Sequence, residues 1–275
     1  GYHYAMGEFV NYESFEANAD KAVDELKIEL DKGFLEWFPS LAAMEAEVGE
    51  ATLSRMAAII KMKNAIEKIR LIHDLRRSGV NKLVDAPERN VLPRLIDAVL
   101  ALVELVRLGV DIELFVLDFK DAFKQLTVHP NERKYICGQA KLDGVDGFFA
   151  YFTVLFGVLS GPLVWGRLAA FVGRATAALF QPGEHMMQCY VDDPLLGVSG
   201  TPLGRAFRMS IILLFWEALG FRLSWQKGMR GDAVDWIGAE IRILRDEAGA
   251  PVGIAVTIAQ DKADKLEKEV TELMK

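Results

Sequence analysis

The sequence predicts an α+β fold. Apolar runs of strand length mix with helix-period segments in an irregular order, not in a strict strand–helix–strand succession. Of the 275 residues 51% are hydrophobic, which suits one large domain or two small ones and excludes a disordered or collagen-like chain. No internal repeat or low-complexity segment interrupts this pattern.

The elements follow in order. Ser14 precedes a periodic run through Phe15, Ala19, Ala22, Val23, Leu26 and Leu30, and Gly33 follows it; the spacing predicts one helix with a serine N-cap and a C′ glycine. Residues 34–54 are mixed and partly helical. Ala57–Met62 and Ile69–Leu75 are strand-like runs joined through a polar turn at Asn64, so they predict a hairpin. Ser78 and Gly79 open a loop that runs to Pro93. Leu95–Leu108 predicts a helix stopped by Gly109, and Ile112–Leu117 a buried strand. Met186–Val191 is another such strand. Pro202–Leu219 predicts a helix ending near Gly220, Val234–Ile243 and Val252–Ile258 predict strands, and Asp261–Met274 an amphipathic helix.

The formal net charge is −7, and net acidity alone argues against a polyanion partner. The charge is uneven, however. Residues 1–54 hold twelve acids and three bases, whereas residues 55–94 hold ten bases and four acids. On charge alone the basic segment is equally well a solvated face. The two cysteines, Cys137 and Cys189, form no disulfide framework. Residues 1–10 lack a secretory pattern, so an intracellular, reducing setting is expected. The stretch 147–166 carries no charge over twenty positions, long enough for a membrane span. Its central Gly157, Ser160, Gly161 and Pro162 instead predict a strand over 148–154, a turn, and a helix from Leu163 to Phe180. No membrane partner is expected.

Three aspartates end apolar strands: Asp118, Asp192 and Asp193. An unpaired carboxylate there is costly, and an arginine or a metal ion relieves it. Hard cations such as Mg²⁺ take oxygen ligands, and carboxylates on adjacent strands suit a pair of ions. On spacing alone, solvated turn aspartates account for the pattern as well.

The surrounding residues carry more. Residues 116–135 read VLDFKDAFKQLTVHPNERKY and residues 190–193 read YVDD. Here the chain resembles the reverse transcriptases, among them the Gypsy-type and DIRS-type retroelement enzymes. The first segment is similar to their motif A and the second to their Tyr-X-Asp-Asp hairpin, in order and about seventy residues apart. KIRLIHDLRRSGVN (68–81) resembles the fingers strand with its triphosphate-binding arginine, and VLPRL (91–95) the approach to motif A. FGVLSGP (156–162) resembles motif B, GFRLSWQKG (220–228) motif D, and VDWIGAEI (234–241) motif E, the primer grip. The resemblance covers roughly residues 20–275.

The resemblance implies a right-hand polymerase fold with an antiparallel palm sheet: an acidic helical segment over 1–54 leading into the fingers, fingers over 55–110, palm over 111–243 and the start of a thumb over 244–275. It implies an RNA-directed DNA polymerase core that joins dNTPs to a primer 3′-OH on an RNA or DNA template. Asp118, Asp192 and Asp193 would be the carboxylates for two Mg²⁺ ions, with Mn²⁺ as a substitute, and Lys227 a general acid to the leaving pyrophosphate. Arg70 and Lys63 would hold the triphosphate, guanidinium in bidentate fashion and ammonium as a movable charge; Lys68 is the second choice to Lys63. Phe123 would be a steric gate against a 2′-OH, Phe156 and Gly157 part of the dNTP site, and Trp236 and Gly238 the primer grip. Each of Arg70, Phe123, Lys227 and Trp236 also has a plain structural reading, as strand charge, core ring, loop lysine or buried tryptophan. Gln125 and His129 read as structural.

Two departures stand out. Val154-Leu155 replaces the family's Leu-Pro before Phe156. Pro194 follows the Asp-Asp pair, removes an N–H and biases Asp193 toward extended backbone, so an irregular hairpin is expected. By this resemblance the chain would end within the first thumb helix, without an RNase H, protease or integrase segment, as expected of an excised fingers–palm unit or a degenerate element. The alternative is an inactive polymerase-like domain that binds nucleic acid or protein.

Overall fold

A computed structural model of the chain describes residues 9–63, 66–258 and 260–274. In chain order the elements are α1 (Glu13–Glu16), α2 (Ala19–Asp31), β1 (Leu35–Phe38), α3 (Leu41–Val48), β2 (Met56–Lys63), β3 (Ile66–His73), α4 (Val80–Leu83), α5 (Leu95–Arg107) and β4 (Ile112–Val116). There follow β5 (Cys137–Leu142), β6 (Val145–Tyr151), α6 (Gly161–Ala177), β7 (His185–Tyr190), β8 (Asp193–Ser199) and α7 (Pro202–Ala218). The chain continues through β9 (Met229–Gly231), β10 (Ala233–Trp236), β11 (Ala239–Arg245), β12 (Pro251–Ile258) and α8 (Gln260–Leu273). Every pairing within the named sheets is antiparallel, so the architecture is α+β in the general sense expected.

Two compact units divide the chain, and each is discontinuous. The first holds the described residues up to Arg89 together with Ala122–Trp165; the second holds Asn90–Asp121 and the chain from Gly166 onward. The boundaries at 89/90, 121/122 and 165/166 thus fall inside the sequence-based segments 55–110 and 111–243.

The first unit contains the β2–β3 hairpin, in register from Met56↔His73 onward, and a sheet in the order β1-β6-β5. The hairpin was expected from its two apolar runs; its turn at Asn64 lies outside the described residues. The α1 and α2 faces bury Phe15, Ala22 and Leu26 against Leu35, Met56, Phe149 and Tyr151. A second cluster packs Met44 and Val48 of α3 on Phe38, Phe148 and Ala150. The single helix expected from Ser14 is two helices. Ser14 lies inside α1, where its hydroxyl accepts from Ala58 N of β2 (3.3 Å) instead of capping, and the chain breaks before α2 at Asn18. Gly33 ends α2 with φ +70 as its position requires. The loop after Ser78 contains α4.

In the second unit the sheet order is β7-β8-β4-β9. Its core packs Ala98, Leu102 and Leu105 of α5 against Ile112, Leu114 and Val116 of β4, Leu195 of β8, and Val234, Trp236 and Ile241 of a second sheet, β10-β11-β12. The single strand expected over 234–243 is a hairpin: Trp236 pairs with Ala239, and Ile237 (φ 42) and Gly238 (φ 85) make the turn. The alternation VDWIGAEI masks that turn, because its first residue lacks the Asn or Asp that signals one. The uncharged stretch 147–166 becomes the end of β6, a turn and the start of α6. Among the described residues, no helix is long and apolar enough to cross a membrane.

Candidate functional site

The predicted residues collect into two groups, one in each unit. In the second unit, β4 runs antiparallel to β8 with Val116 opposite Leu195. The ladder continues past the strand end: Leu117 N donates to Pro194 O (3.0 Å) and Phe119 N to Asp192 O (2.8 Å). That register sets Asp118 directly across from Asp193, at a non-hydrogen-bonded position where side chains share a face and Cα atoms approach to about 4.5 Å. The other side of the segment is tied down too, with Ser224 N on Asp118 O (2.9 Å) and Lys120 N on Arg222 O (2.9 Å).

Pro194 does not disturb the β7–β8 hairpin. Tyr190 pairs with Asp193 and Cys189 with Pro194, leaving Val191 and Asp192 as a two-residue turn. Opposite Cys189, position 194 directs its amide nitrogen away from β7 and toward β4, so the proline forgoes one bond to β4 and none to β7. The strain sits at Val191, a β-branched residue with φ 55; such a conformation persists only where its surroundings impose it. Among the described non-glycine residues, Asp121, Asp143, Val191 and Ile237 have positive φ, and all but Asp143 lie within the segments singled out by sequence.

Charge accumulates at this turn. The Cys189 thiol is pushed up to about 12, first by burial and then by the charges of Asp192 and Asp193; it donates to Val191 O (3.3 Å). Asp118 is buried, its side chain 9% exposed. Lys227, on a 3-10 turn over Trp225–Lys227, places its ammonium 2.8 Å from Asp118 Oδ1 and 2.6 Å from Oδ2. The donors are hard oxygens that suit Mg²⁺ in kind, at a place where opposed carboxylates call for a cation. Lys227 supplies that cation. Among the described residues, no three His, Cys, Asp or Glu side chains converge as a metal cage.

Trp236 is buried, and its indole N–H donates to Asp193 O (2.9 Å). Its ring meets that of Tyr190 edge-on at 6.5 Å. The tryptophan therefore holds both closing residues of the Asp-Asp hairpin. Gly238 combines φ +85 with a Cβ position that would lie 1.6 Å from Lys262 Nζ, so a side chain there would displace Lys262.

The second group lies in the first unit. Arg70 projects from β3, opposite Ile59, with its guanidinium 5.3 Å from the centre of the Phe156 ring. Phe156 is 55% exposed and meets Phe123 edge-on at 5.4 Å; Phe123 leans on Trp165 at 6.5 Å. Gly157 has φ +104. Its carbonyl accepts from Asn81 Nδ2 (2.9 Å), while Asn81 Oδ1 accepts from Leu159 N (3.0 Å). Asn81 thus clamps the 156–160 turn; it ends the segment singled out by sequence, but no periodicity marks it for that task. Lys63 ends β2, and its side chain lies outside the described residues. Lys68 is exposed on β3. His129 Nδ1 accepts from Asn131 N (3.3 Å) and caps the following 3-10 turn, the structural role expected for it. Gln125 lies in another 3-10 turn, Ala122–Gln125.

No protein-family model matches the chain, and no curated protein matches it.

Proposed function

We propose that this chain is the core of an RNA-directed DNA polymerase of the retroelement reverse-transcriptase type, a right-hand fold of fingers, palm and the start of a thumb that extends a primer on an RNA or DNA template inside the cell. The observation that carries this reading is the register of β4 against β8, which puts Asp118 across from Asp193 at the tip of a hairpin reading YVDD. The Arg70–Phe156–Phe123 cluster supports it from the first unit.

In this reading Arg70 and Lys63 bind the dNTP triphosphate, Arg70 already oriented by the ring beneath it. Phe123, wedged between Phe156 and Trp165, excludes a 2′-OH. Gly157 allows close approach of the substrate beside the turn held by Asn81. Trp236 fixes Asp193, and the tight turn at Gly238 places the primer strand. Lys227 gives a proton to the leaving pyrophosphate. Asp118, Asp192 and Asp193 would hold Mg²⁺, or Mn²⁺, which when bound activates the primer hydroxyl and offsets charge on the leaving oxygen. Catalysis is then mostly positioning and charge stabilisation.

The test is primer extension by purified protein with a primed RNA template, dNTPs and Mg²⁺. Extension that disappears in Asp192→Asn is expected; no extension, or extension that survives the substitution, overturns the reading. One observation favours a second reading, an inactive polymerase-like domain that binds nucleic acid or protein: both Asp118 oxygens are engaged by Lys227. Template binding without Mg²⁺-dependent dNTP affinity would identify it.

A further inference from the structure

We infer that Lys227 is a built-in counterion of Asp118 which a divalent cation must displace, so that this lysine sets the cation affinity of the site. The inference rests on the polymerase reading and deepens it.

The argument starts from the place of Asp118. It is buried and lies across the β4–β8 ladder from a second carboxylate, Asp193. Like charges at directly opposed positions destabilise a strand pair, and a buried carboxylate without a partner is worse. A cation placed there relieves both costs. The ammonium of Lys227 meets the need by touching both oxygens.

The contact is local by construction. Ser224 N donates to Asp118 O, and Lys227 N donates to Ser224 O (3.0 Å). The backbone carrying the lysine is therefore tethered to the backbone of the aspartate it neutralises, and the ammonium is always at hand. Yet the Lys227 side chain is 58% exposed whereas that of Asp118 is 9% exposed. A lysine on a four-carbon stem, a point charge with most of its surface in water, can swing off at little solvation cost. An arginine in the same place would grip the carboxylate with two parallel bonds.

The consequence is exclusion. Lys227 and a divalent cation need the same two oxygens, so the cation binds only the fraction of molecules in which the lysine has left. If the closed form outweighs the open one by about ten to one, apparent affinity falls about tenfold.

The experiment is a Mn²⁺ titration of the whole chain, free Mn²⁺ being read by electron paramagnetic resonance, on the parent protein, Lys227→Gln, Lys227→Arg and Asp118→Asn. The expected order of affinity is Lys227→Gln about tenfold tighter than the parent, Lys227→Arg weaker than the parent, and Asp118→Asn weakest. Circular dichroism verifies that each variant is folded. If Lys227→Gln does not fold, the arginine variant still decides against the parent. Equal or reversed affinities, or no Mn²⁺ bound by any variant, overturn the inference. Primer extension separates it from the reading beneath it. The expected affinity order without extension refutes the polymerase alone; extension with affinities indifferent to Lys227 refutes the counterion alone.

Discussion

Replacing His73 by Phe should flatten the acid side of the chain's stability profile. His73 ends β3 in the first core, with its ring edge-on to Tyr151 at 5.1 Å and to Phe149 at 6.2 Å. It is buried, and its Nε2 has no hydrogen-bond partner. Burial, and then the positive charge of Lys124, push its pKa down to about 3 from 6.5. The folded protein therefore holds a neutral imidazole through a range in which the unfolded chain binds a proton. Stability rises with pH across that range and is lost as pH falls from about 6.5 toward 3. At 1.36 kcal/mol per pH unit, the loss traced to this one group is about 2 kcal/mol at pH 5 and about 4 kcal/mol near pH 3. Phenylalanine keeps the aromatic contacts, takes no proton and removes the unpartnered nitrogen. Urea unfolding of both proteins at a series of pH values between 7 and 4 checks this. The variant should gain on the parent steadily as pH falls. A constant difference between the two would mean that His73 finds a proton acceptor in the folded state, and the argument from burial would be wrong.

Two further outcomes concern the site. Trp236→Phe removes the donor to Asp193 O and leaves a void, so unfolding in urea should show a loss of about 1–3 kcal/mol, and primer extension should fall by more than the lost folded fraction; unchanged extension in folded protein would deny the hairpin its dependence on this bond. Phe156→Leu frees Arg70 from its ring, so the KM for dNTP should rise about two- to fivefold with kcat nearly constant, in keeping with an exposed cation–π contact; Phe156→Tyr should restore the parent KM, and a tyrosine variant as poor as the leucine one would show that the ring does not position Arg70.

Much of this architecture is legible in sequence because period and termination are local. The continuous apolar run Ile112–Leu117 is β4 with one residue to spare, and the helices expected before Gly109 and Gly220 end at Arg107 and Ala218. What escapes is decided by distant partners. Ser14 looks like an N-cap, but its hydroxyl is engaged by Ala58. Ile237 looks like a strand residue, yet it turns the chain because β11 pairs back on β10. Pro194 looks like a fault in the hairpin; its effect depends on which neighbour its nitrogen faces, and only the three-strand register decides that. The grouping of Arg70 with Phe156 and of Asp118 with Lys227 follows the order of the motifs. The direct contact of Lys227 with both Asp118 oxygens bridges 109 positions, and no spacing rule foretells it.

The two ends of β4 show why net charge is a poor guide to what this chain does. At its start, Arg205 and Arg245 both engage Asp111, Arg245 also binds Asp232 (2.7 Å), and Arg230 binds Glu113 (2.9 Å). Burial opposes ionisation of Asp111, yet hydrogen bonds from Arg245 and Arg205 hold its pKa below the ordinary value. These carboxylates belong to a forked, multiply bonded network that joins β4, α7, β9 and β11 and leaves little charge for any other cation. At the far end of the same strand Asp118 faces another carboxylate, and its counterion is one lysine on a flexible stem. An acidic total of −7 adds together acids fixed by arginine and an acid whose cation can leave. Only the second kind can trade its partner for a ligand, and on β4 it is the one at the YVDD turn.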